Sequence, residues 1–64
     1  MTIRNAVLDY MSENRPVGFM PTRVFKHHIP YETSEIRAEL ERLEEEGVVE
    51  SDHSQANNTM WRLK

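Results

Sequence analysis

The stretch Glu35-Ile-Arg-Ala-Glu-Leu-Glu-Arg-Leu-Glu-Glu-Glu-Gly47-Val-Val49 constrains this chain more than any other. Ile36, Leu40 and Leu43 recur at helical spacing, so a helix is expected from about Glu32 to Glu46 with one apolar stripe turned to a core. Gly47 stands where helices commonly end in left-handed backbone, which glycine adopts without strain. Val48-Val49 then begins a strand, and His53-Ser-Gln-Ala-Asn-Asn58 reads as a polar loop. Met60-Trp-Arg-Leu63 returns as a strand with Trp61 and Leu63 inward. Asn57 and Asn58 tolerate the backbone angles of the turn. A helix that stops at a glycine and feeds a hairpin leaves few ways to close a chain of 64 residues.

The first half supplies what the hairpin and the long helix pack against. Thr2 can cap a first helix in which Ile3, Val7, Tyr10 and Met11 recur, widened by Ala6 and Leu8, ending near Glu13. Asn14-Arg15-Pro16 breaks it, because proline lacks an amide proton and disfavours helical geometry in the residue before it. Val17-Gly18-Phe19 is long enough only for a short edge strand. Met20-Pro21-Thr22 opens a second helix, with Pro21 in its first turn and Thr22 as an alternative cap. Val24 and Phe25 are its apolar contacts, Pro30 redirects the chain, and Ile29 plugs the core from the turn.

Sixty-four residues make one domain, and so short a chain buries only about 60% of the surface its unfolded form exposes, so its apolar residues are all needed inside. The sequence has no cysteine, hence no disulfide and no thiolate ligand. Its start, Met-Thr-Ile-Arg, lacks the plan of a signal peptide, and no apolar run nears the ~20 residues of a membrane span. We therefore expect a complete, soluble, cytoplasmic α+β domain, 1–64, without membrane association.

Helix, short strand, short helix, longer helix and hairpin in that order resemble the winged helix-turn-helix superfamily over essentially the whole chain. The carriers are Ile36, Leu40, Leu43, Gly47, Val49, Trp61 and Leu63. They look like the family's leucine-rich recognition helix, glycine, valine, wing and aromatic-x-leucine return. The resemblance implies a three-helix fold with a two-stranded C-terminal wing and a short third strand at Val17–Phe19. It also implies a small bacterial or phage transcriptional regulator that binds double-stranded DNA. The third helix would enter the major groove, offering Thr33, Ser34, Arg37, Ala38 and Glu41, with Arg37 suited to guanine. Arg23, Lys26 and His27 would hold the backbone, and His53, Gln55, Asn57 and Asn58 would carry the wing contact.

Charge complicates that expectation. The net of −3 divides into three segments. Residues 1–31 carry +2, from Arg4, Arg15, Arg23 and Lys26 against Asp9 and Glu13. Residues 32–52 carry −7, with nine acids against Arg37 and Arg42, and residues 53–64 carry +2 from Arg62 and Lys64. Glu35, Glu39 and Glu41 put negative charge on a helix that would approach phosphates, and the wing lacks arginine and lysine. With about four to six usable cations, a monomer would bind weakly and with strong salt dependence. A homodimer or a companion protein would add contacts.

Glu44, Glu45 and Glu46 oppose the helix macrodipole by a few tenths to about 1 kcal/mol. They read either as a solvated face, relieved by Arg42 one turn before Glu46, or as a patch for a basic protein partner. The alternatives to DNA binding are therefore an interaction module using this acidic helix, or an acidic DNA mimic. Arg37 is either a base-reading residue or a surface partner of Glu41. Trp61 reads as core more readily than as a base-stacking ring. Tyr31, at the start of the third helix, can touch either the core or a phosphate.

Catalytic vocabulary is thin. His27, His28 and His53 do not share a face, and no carboxylate pair shows metal-ligand spacing, so neither a metal nor another cofactor is expected. Ser51-Asp52-His53-Ser54 holds hydrolase residue types without the convergence a triad needs. Two isolated glycines make no phosphate loop, and no small-molecule substrate is evident, so an enzyme is not expected.

Overall fold

In a computed structural model of the chain, residues 2–14, 18–55 and 58–64 are described, apart from the side chains of Gln55 and Asn58. Helix α1 spans Ile3–Glu13. The Thr2 hydroxyl accepts the Asn5 amide at 3.2 Å and so caps it, as expected. Ala6, Val7 and Met11 are buried, while Ile3, Leu8 and Tyr10 pack at the edge of the core. Asn14 ends the helix by bonding the Tyr10 carbonyl with both its backbone amide, at 3.2 Å, and its side-chain amide, at 2.9 Å.

Strand β1 is Met20–Pro21, not Val17–Phe19. Gly18 and Phe19 lie outside any strand, Gly18 having a φ of +88°, and Val17 lies outside the described residues. The physical reason is register: Met20 pairs with Trp61, which sends the Met20 side chain into the core, and Pro21 sits at an edge where no amide proton is required. Helix α2 follows as Thr22–Lys26, with Pro21 as its N-cap instead of in its first turn. Thr22 does no capping, because its hydroxyl is engaged elsewhere. It accepts the Trp61 indole N–H at 2.7 Å and donates to the Thr59 carbonyl at 3.3 Å.

Helix α3 spans Thr33–Glu45, with Glu32 and Glu46 as caps instead of members of the helix. The Glu35 carboxylate reaches back to the Glu32 amide at 3.2 Å, satisfying one of the donors a helix start leaves open. At the other end, the Val48 amide bonds the Leu43 carbonyl and the Gly47 amide bonds the Glu44 carbonyl, both at 3.0 Å. With Gly47 at φ +82°, this is the Schellman termination the glycine predicts.

Strands β2 (Val49–Gln55) and β3 (Asn58–Leu63) form an antiparallel hairpin, and β1 pairs with the other edge of β3, giving the order β1-β3-β2. The hairpin is longer than the sequence suggests, since His53, Ser54 and Gln55 belong to β2 and not to a loop. The ladder shifts between Asp52 and Gln55, and there the Asp52 carboxylate accepts the Ser54 amide at 2.9 Å in place of a ladder bond. That bond holds the Asp52 carboxyl below its usual range, helped by nearby His53.

Between helices and sheet lies one core: Ala6, Val7, Met11, Met20, Phe25, Ile29, Ile36, Leu40, Leu43, Val49 and Trp61. Trp61, only 1% exposed, is its largest member and sits on the central strand. Leu63 shares the inward face of β3 but stays half-buried at the core's edge. Tyr10 meets Phe25 edge-on at 5.2 Å and stacks on His28 at 4.7 Å, fastening α1 to the end of α2.

Candidate nucleic-acid interface

Burying Ile36, Leu40 and Leu43 fixes which side of α3 faces out. At 3.6 residues per turn, Ser34, Ala38, Glu41 and Glu45 form the opposite row, flanked by Arg37. All five are exposed, as is Thr33. The row begins with two small side chains and ends with two carboxylates.

Arg37 and Glu41 are paired across one turn, Nε to Oε2 at 3.7 Å, with each side chain 55% exposed. Lys26 is likewise held by Glu32 at 3.5 Å. Pairs this exposed are worth at most about 1 kcal/mol, so either cation can be drawn to a phosphate at small cost. Arg23 is exposed and has no acid partner among the described residues, and His27 is the exposed C-cap of α2.

The β2-β3 hairpin is tied to the end of α3 by a chain of hydrogen bonds. The Ser51 hydroxyl donates to the Glu44 carboxylate. The His53 Nε2 lies 3.0 Å from the Ser51 oxygen. The His53 Nδ1 lies 3.5 Å from the Thr59 hydroxyl on β3. His53 is exposed on β2. Asn57 lies outside the described residues, as do the side chains of Gln55 and Asn58, so of the four residues expected to carry the hairpin contact only His53 can be placed.

The acids of α3 divide by use. Glu39 does not add charge to the outer face as expected: it is 6% exposed, on the core side. Its Oε1 meets the Arg42 guanidinium at 3.3 Å, and its Oε2 lies 3.8 Å from Arg4 with no hydrogen bond of its own. Glu46 receives Arg4 through two contacts, of 2.9 and 2.5 Å, and not Arg42 as its spacing suggests. This bidentate grip holds the Glu46 carboxyl below its ordinary value and the Arg4 guanidinium above its own. Of the three successive glutamates, Glu44 and Glu46 therefore have work inside the fold, while Glu45 is exposed without a partner among the described residues.

Arg4 was not among the residues singled out from the sequence. Nothing near it signals its role, since both its acids lie on another helix. On β3, Arg62 pairs with Glu50 at 3.1 Å and lies over the Phe19 ring at 4.6 Å, so it too serves the fold. Tyr31 is half-buried against the core. Among the described residues no three of His, Asp and Glu converge as a metal site would require, and no helix is long and apolar enough to cross a membrane.

Comparison with known protein families, with curated proteins and with solved structures finds no match for this chain.

Proposed function

We propose that this chain is a winged-helix domain that binds duplex DNA through the outer face of α3, with the β2-β3 hairpin against the backbone, as a small transcriptional regulator. The observation that carries the reading is the order α1, β1, α2, α3, β2, β3 with β1 hydrogen-bonded to β3. This order is compatible with a winged helix, and it sets the hairpin directly after α3 with the helix's outer row exposed. Support also comes from the small side chains at the start of that row. Ser34 and Ala38 permit close approach to base edges, and Arg37 beside them offers a guanidinium fork.

The charge layout sets the expected strength. Among the described residues beside the outer face of α3, Arg23 and Lys26 are the cations placed for phosphates and Arg37 the one placed for a base, fewer than the roughly four to six expected from the sequence. A monomer should then show a slope of log affinity against log salt of only about −2 to −3. Titrating duplex DNA at two salt concentrations tests this. Lys26→Ala should weaken binding on every sequence and reduce the slope by about one, whereas Arg37→Ala should act most on the preferred sequence. Absence of binding by the parent even at low salt overturns the reading.

A further inference from the structure

Every acid of α3 before its last turn, save one, is tied to backbone or to a cation that serves the fold. Glu35 receives the Glu32 amide, and Glu39 sits between Arg4 and Arg42. Glu41 is the exception. It links α3 to no other element, and its partner, Arg37, stands on the same exposed face. A carboxylate there repels phosphates, so a DNA-binding surface gains nothing from it unless it meets a hydrogen-bond donor.

In the major groove the donors are the exocyclic amines of cytosine and adenine. Adenine places its N7 acceptor beside the amine, which repels the second oxygen of a carboxylate; cytosine places only a C–H there. Arg37 and Glu41 stand one helical turn apart on the same exposed face, with Arg37 Nε 3.7 Å from Glu41 Oε2, so their heads can reach neighbouring positions. Ser34 and Ala38, small and on the same row, allow the helix close enough for both heads to reach.

We propose that Arg37 and Glu41 read two adjacent base pairs together, the guanidinium on N7 and O6 of a guanine and the carboxylate on N4 of a cytosine. The inference rests on the DNA-binding reading and names the class of site, one with a fixed cytosine beside a guanine. In the free protein the two heads are paired only weakly, so both are free to turn to the bases.

Selection from randomised duplexes with the parent, Glu41→Gln and Arg37→Ala tests it. The parent should select guanine and cytosine at neighbouring positions. Glu41→Gln should exchange that cytosine for adenine, because a glutamine amide pairs with N6 and N7 together, moving the cytosine-to-adenine preference on the order of 10- to 100-fold. Arg37→Ala should lose the guanine. A parent that binds without preference, or a Glu41→Gln protein that binds all sequences more tightly with an unchanged preference, overturns the inference and leaves DNA binding standing. No binding by any of the three proteins removes both.

Discussion

Glu39 and Glu46 show what single residues of α3 do for the fold and why spacing along one helix could not reveal it. Both are answered by Arg4, on α1, and a partner on another helix leaves no periodic trace. Trp61 was legible, since alternation with Leu63 places it inward, but its bond to Thr22, 39 positions away, was not. The Arg4–Glu46 pair carries a pH signature. Because the Glu46 carboxyl is depressed in the folded chain, its contribution is complete above the ordinary value of about 4.5 and is lost as pH falls through the lower folded value. Glu46→Gln should therefore be less stable than the parent near neutral pH, and the difference should shrink below about pH 4.5. Denaturant unfolding across that range checks it, and a difference constant with pH contradicts it. Arg4, whose shift is upward, stays charged throughout and adds no pH dependence of its own.

At the scale of elements, the sequence marks each helix and the hairpin, while boundaries move where a partner strand or a cap decides. β1 shifts to Met20–Pro21 because pairing with β3 selects which side chain faces the core. β2 extends to Gln55 because the Asp52–Ser54 bond lets a polar stretch stay in the sheet across a register shift. The junction of α3 and β2 is set by Gly47, where a Cβ would meet nothing within 4 Å. The cost of Gly47→Ala is thus conformational, about 1 kcal/mol. In a domain of this size that lowers the melting temperature by about 4–8 °C. An unchanged melting temperature would show that the helix can end there without left-handed backbone.

For the whole molecule, part of the central acidic charge is answered by groups of the same chain. Glu39, Glu46 and Glu50 each meet an arginine of this same chain and Glu44 a serine, so these four of the nine central acids are engaged in the fold. The outward row of α3 runs from Ser34 and Ala38 to Glu41 and Glu45, with Arg37 at its side. The sequence named those residues, because helical spacing separates them from Ile36, Leu40 and Leu43. It could not show which acids were already engaged. We propose this row as the nucleic-acid surface. Backbone amide shifts followed by NMR during titration with duplex DNA at low salt test it most directly. The account predicts the largest changes at Ser34, Arg37, Ala38 and Glu41, with smaller ones at Arg23, Lys26 and His53. Changes centred on α1, or none at all, would contradict it.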